Sequence, residues 1–172
     1  MKYFLLLISF FCLSQYSTAQ TNEEKEAARF QKEYEKRIKK ERLYGVYIPK
    51  DLADSFGQLN RLTAQSSRQT FKNAPEEVAA KKLHFSLGRW ITHNWGFYGG
   101  SRLSHYIKEV GITHPDDQAR FIIVSYHRYL NKKPLEVKAQ VDAVLERQKK
   151  EVEARNKKRV ILHSETRKRV NE

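Results

Sequence analysis

Cysteine is all but missing. The one cysteine, Cys12, sits inside the sequence's long apolar run, residues 3–13. Lys2 precedes that run, and Ser17-Thr18-Ala19 follows it with small residues before Gln20. This is the pattern of a secretory signal peptide, residues 1–19, cut near Ala19. The run is too short to span a hydrocarbon core, which needs about 20 residues. Cys12 follows Phe10-Phe11 instead of small side chains, which argues against a lipid anchor there. Beyond the leader no cysteine remains, so disulfides, Cys-zinc sites and a cysteine nucleophile are excluded.

Glycine and proline are scarce as well, seven and four in 172 residues. That excludes collagen-like and proline-rich repeats. Also absent are a Gly-x-Ser-x-Gly elbow, a phosphate loop and a His-Glu-x-x-His pair. No cofactor and no metal is therefore expected. What is abundant is positive charge: 33 Lys and Arg against 20 Asp and Glu, a net +13. Nine Tyr, nine Phe and two Trp argue against a disordered chain. The length suits one ordinary domain.

Apolar spacing predicts an all-α fold, a small helical domain at 44–134 flanked by charged helical arms at 20–43 and 135–172. In the first arm Phe30, Tyr34 and Ile38 recur every four residues, a single narrow stripe. Thr21 and Glu24 have capping-box spacing. Residues 44–48 read as extended up to Pro49. A helix follows over 50–62 with Leu52, Phe56 and Leu59 on one face. Residues 63–73, without periodicity, read as a loop.

Pro75-Glu76-Glu77 starts a helix, placing proline and two carboxylates in its first turn. Val78, Leu83, Leu87, Trp90, Ile91 and Trp95 continue it to Gly96. Ser101 is positioned to cap a helix over 102–110, with Gly111 left-handed at its end. Thr113 and Asp116 sit at capping-box spacing before another helix, whose buried face would be Ala119, Ile122, Ile123, Tyr126 and Leu130. Lys132-Lys133-Pro134 breaks the chain. The second arm, helical from 135 to about 162, begins a seam at Val137, Val141 and Val144. Gln148, Glu151 and Arg155 take its continuation, which argues against a long coiled coil.

Residues 47–135 carry long, unusual strings: Tyr-Ile-Pro-Lys-Asp-Leu at 47–52, His84-Phe85 with Leu87-Gly88, Trp90-Ile91, and Asn94-Trp95-Gly96. Gly99-Gly100-Ser101-Arg102-Leu103, His114-Pro115-Asp116-Asp117 and residues 125–131, Ser-Tyr-His-Arg-Tyr-Leu-Asn, complete them. In these the chain resembles a family of exported Bacteroidota proteins of unknown function, with Ser55 and Ser86 departing from the family's Cys and Gly. The resemblance implies no established reaction.

Several constellations could carry chemistry. Gly99-Gly100-Ser101-Arg102 could cradle an anion at a helix start, although a tight turn with a serine cap explains it as well. His84, His114, Asp116 and His127 are the residue types of acid–base catalysis. Yet His114 and His127 lie about 20 Å apart along one helix, and cap chemistry accounts for the acidic pair. His127 is expected to be a partly buried histidine with one hydrogen-bond partner, and Arg128 to pair with a carboxylate on a neighbouring segment. Trp95 and Tyr98, with Arg102, could pave a contact corner, against the plainer reading of core packing.

The basic excess is spread over all three regions, with dense runs at Lys149-Lys150, Lys157-Lys158-Arg159 and Arg167-Lys168-Arg169. An unknown envelope protein or an anionic surface fits such runs. Export argues against nucleic acid as the native partner. The sequence thus points to a non-enzymatic, exported helical binding protein, periplasmic or extracellular. The alternatives are a hydrolase-like enzyme using the His, Asp and Arg groups, and anionic-surface or nucleic-acid binding through the arms.

Overall fold

A computed structural model describes residues 22–170, with side chains for 22–159. The signal peptide read at 1–19, with Cys12 and the cut near Ala19, lies outside these residues, as does the Thr21 cap. The side chains of Arg167-Lys168-Arg169 are likewise outside the description.

The fold is predominantly α-helical, organised around one helix. Helix α1 covers 22–37, and the strands β1 (Arg42–Leu43) and β2 (Val46–Tyr47) form a small antiparallel hairpin. Then come α2 (Leu52–Leu62), α3 (Gln65–Asn73), α4 (Glu76–Leu83), a π-helical turn (His84–Gly88) and α5 (Arg89–Asn94). Helices α6 (Arg102–Val110), α7 (Pro115–Leu130) and α8 (Val137–Val170) complete the chain.

Helix α7 is the hub, packed by α2, α3, α4, the π turn, α5, α6 and α8. Its sequence explains why. Ala119, Ile122, Ile123 and Tyr126 form the expected stripe, and Gln118, Phe121, Ser125 and His127 are buried beside it. A helix covered on most of its circumference belongs at the centre of a bundle. Leu130, expected on that face, is only half-buried. Ile48, Leu59, Ile91, Leu103, Ile107 and Ile112 complete the core, each stabilising by roughly 1.5–3 kcal/mol relative to exposure.

Helix ends follow local chemistry. Ser101 and Ser104 cap α6 reciprocally, each backbone N–H donating to the other's hydroxyl. Gly111 closes α6 at φ 114°, and the Ile112 N–H returns to Ile107 O at 3.2 Å. Asp51 caps α2, accepting from Asp54 N.

Four expectations need correction. The first arm is not helical to residue 43, because Tyr44 and Gly45 turn a tight hairpin with φ 51° and 80°. Left-handed conformation at both central positions matches the twist of paired strands. Tyr44, 91% exposed, has no packing obligation to oppose it. Residues 63–73 are not a loop but mostly α3. The helix buries no residue fully, so it leaves no apolar period to detect. Arg68 holds its start through the carbonyls of Asn60 and Thr63, and Phe71 stacks on Tyr126.

The helix expected from 75 to 95 is interrupted by the π turn, whose extra residue rotates its second half against its first. Ala79 and Ala80 face the core, while Val78 is 41% exposed. Helix α7 is capped by His114, not Thr113: the Asp116 N–H donates to His114 Nδ1 at 3.3 Å.

Both arms dock. In α1 the Tyr34 hydroxyl lies in hydrogen bond with His105 Nδ1, 2.9 Å away, and Arg37 Nε donates to Gly100 O at 2.9 Å. In α8, Val144 is buried and Val137 and Val141 are half-buried against the core. The seam is therefore an intramolecular contact.

Candidate functional site

The aromatic–arginine corner disperses. Trp95 is 1% exposed and packs edge-on against Trp90. Tyr98 is exposed, and its hydroxyl donates to Asp116 Oδ1 at 3.1 Å. Arg102 turns the other way: its Nε donates to Ile48 O at 2.7 Å, and the guanidinium covers the Tyr47 ring. Core, α7 and hairpin each take one member, so the three share no surface.

The Gly99-Gly100-Ser101 turn is covered too. Ser101 is fully buried and its N–H is spent on Ser104. A Cβ on Gly100 would stand 2.2 Å from Tyr34 Cδ2, and one on Gly99 3.1 Å from the Arg37 guanidinium. These glycines admit α1, whose Tyr34 and Arg37 lie against the turn.

Arg128 and His127 form a structural node. Arg128 Nε and Nη2 donate to both oxygens of Glu76 at 2.8–3.1 Å, and Nη1 donates to Leu135 O and Glu136 Oε2, both at 3.0 Å. This fork ties α4 to α7 and to the segment before α8. Its hydrogen bonds hold the Glu76 carboxyl below the ordinary carboxylate value and raise the guanidinium in turn. His127 is 3% exposed, with Nε2 2.8 Å from Ala74 O. A carbonyl only accepts, so Nε2 carries the proton. Among the described residues Nδ1 has no hydrogen-bond partner, and it lies 3.8 Å from Glu76 Oε2.

The remaining candidates converge. His84, His114 and Asp116 line one cleft of about 730 Å³, walled by the end of α4, the π turn, the start of α7 and the face of α8 around residues 147–155. His127 is not part of it. Among the described residues no hydrogen bond runs from one side chain to another of His84, His114 and Asp116, and no nucleophile–base pair is formed there. Nor do three His, Asp or Glu side chains gather as metal ligands among the described residues.

The cleft's electrostatics come from residues that sequence reasoning missed. Arg147 and Gln148 both reach Asp117, and Arg147 Nε also lies 3.6 Å from Glu151. Lys81, Arg120 and Arg155 line the same space and make no ion pair with any described residue. Phe85, at the crest of the π turn, is 71% exposed beside them, its ring edge-on to His84 at 5.0 Å. One signal was present: Gln148, Glu151 and Arg155, the polar continuation of the α8 valine seam, form this wall.

A separate apolar groove of about 490 Å³ lies between α3 and α4, lined by Phe71, Val78, Leu83, Leu87 and Tyr126 among others. No described helix is long and apolar enough to cross a membrane.

Comparison with curated proteins and with solved structures finds no match. Residues 48–130 match the family model described as a domain of unknown function, DUF6794, so the body from Ile48 to Leu130 is similar to that family, while α1 and the α8 wall of the cleft lie beyond the matched residues.

Proposed function

We propose that the chain is an exported, non-enzymatic helical binding protein of a bacterial envelope, and that the cleft under α8 is its contact surface. The observation that carries this is the group of three cations, Lys81, Arg120 and Arg155, without an ion-pair partner among the described residues, around the exposed Phe85. Charge without an internal partner, on concave walls beside an aromatic ring, suits recognition of an outside group. Outside the cleft, His105 and His127 are held in hydrogen bonds to other segments of the fold. The leader at 1–19 and the resemblance to exported Bacteroidota proteins support a periplasmic or extracellular setting. Basic runs on α8 extend the same positive field, so an envelope protein or an anionic surface suits the cleft better than nucleic acid.

The test is site-specific photocross-linking in cells, with the probe at Phe85 and, as a control, at Tyr44 on the hairpin. Adducts in the envelope fraction from Phe85 and none from Tyr44 are expected. Equal adducts at both positions, or a chain retained in the cytosol with residues 1–19 intact, would sink the reading.

A hydrolase reading draws on the shared placement of His84, His114 and Asp116 in one cleft. It requires turnover of activated esters or phosphates that falls about 10²-fold or more in both His84→Ala and His114→Ala. Such a result would replace the binding reading.

A further inference from the structure

We propose that the cleft beneath α8 binds an acidic glycan, a chain of sugar rings bearing carboxylates. This rests on the binding reading above and names its ligand. Three features of the walls point the same way.

The first is the platform. Phe85 stands out from the π turn, and His84 braces its ring edge-on at 80°. A held, exposed aromatic face suits the C–H face of a sugar ring, since its π cloud is negative and those hydrogens are slightly positive. The second is the set of cations. Lys81, Arg120 and Arg155 come from α4, α7 and α8, so they approach the space from different sides. Arg120 is half-buried without an anionic partner among the described residues. A guanidinium presents two parallel N–H groups to a carboxylate, and partial desolvation strengthens that attraction.

The third feature is negative. Asp116 and Glu151 stand on the same walls. A densely charged polyanion without hydroxyls would meet repulsion there, whereas sugar hydroxyls donate to carboxylates. The shape agrees: about 730 Å³ of concave space falls in the range of small-ligand sites, about 300–1,000 Å³. A planar bilayer could not follow such walls.

The experiment is calorimetric titration of the full purified chain with oligogalacturonate at low salt. Saturable binding is expected, weakened roughly tenfold or more by Arg120→Ala, by Phe85→Ala, and by methyl esterification of the sugar carboxylates. Phe85 is exposed, so its variant keeps the wild-type melting temperature and separates lost contact from lost folding. Polyglutamate carries charge without rings, and phosphatidylglycerol vesicles carry charge on a plane; both should bind about tenfold more weakly or worse. Equal affinity for either, binding indifferent to both substitutions, or no binding of oligogalacturonate overturns the proposal. Cross-links at Phe85 without oligogalacturonate affinity would remove the glycan and leave the binding reading standing. Oligogalacturonate binding with equal adducts at Phe85 and Tyr44 would keep the glycan site and remove only the envelope contact at Phe85.

Discussion

Arg128 holds Glu76 by both carboxylate oxygens, 52 residues away in the chain, and so pins the start of α4 to the end of α7. The Glu76 carboxyl is held below its ordinary value of 4.5, chiefly by those hydrogen bonds. A lowered carboxyl contributes stability that is fully present above the ordinary value and is lost as pH falls through the folded one. The melting temperature should therefore drop below pH 4.5 with a share due to Glu76. In Glu76→Gln that share should vanish, and stability at pH 7 should fall by about 1–3 kcal/mol, the usual loss for a charged hydrogen-bonded group. Thermal melts from pH 3 to 7 check it; parallel acid limbs for variant and wild type would contradict it.

Gly100→Ala should loosen α1 without unfolding the bundle. The new Cβ meets the Tyr34 ring, and residue 100 has φ 82°. The backbone alone costs roughly 1–2 kcal/mol for an L side chain. Faster amide exchange and tryptic cleavage in 22–37, with unchanged protection in α7, are expected.

Ile122→Ala should cost about 2–5 kcal/mol, because Ile122 is fully buried on the central helix. Val78→Ala should stay within about 0.5 kcal/mol. Sequence spacing alone ranks both as core positions, so urea titration of this pair tests the placement of the α4 face.

Asp117→Ala should release the far part of α8. Asp117 is reached by both Arg147 and Gln148, while the valine contacts near the root remain. Exchange should rise from residue 145 onward and not at 137–144. Uniform protection along α8 would show that the tie is dispensable.

What could be read from the chain alone followed a physical division. Helix ends written in local chemistry were legible: Ser101, Gly111, and Pro75 with its two glutamates. So was the all-α class, because Ile122, Ile123 and Tyr126 repeat at helical spacing. Helix α3 was not, since a helix that buries nothing fully leaves no apolar period. The hairpin escaped because two paired residues per strand are too few to alternate. His127 has the one partner expected of it but is buried outright where partial burial was expected, and the cleft was only half visible. His84, His114 and Asp116 drew attention as residue types. Lys81, Arg120 and Arg155 resembled ordinary surface charge until three helices brought them together.

Helix α8 spans 34 residues, about 50 Å at 1.5 Å per residue, and leans on the body near its root. Val141 meets the α6–α7 corner there, where a Cβ added to Gly111 would sit 3.2 Å from Val141 Cγ1. Val144 and the ties from Arg147 and Gln148 to Asp117 hold the helix again further out. A tilt of only about 5° at Val141 would displace the distal tip by roughly 4 Å and the cleft wall near Arg155 by nearly half as much. A side chain at Gly111, within the family-matched body, would press on Val141 and so act on the root of that lever.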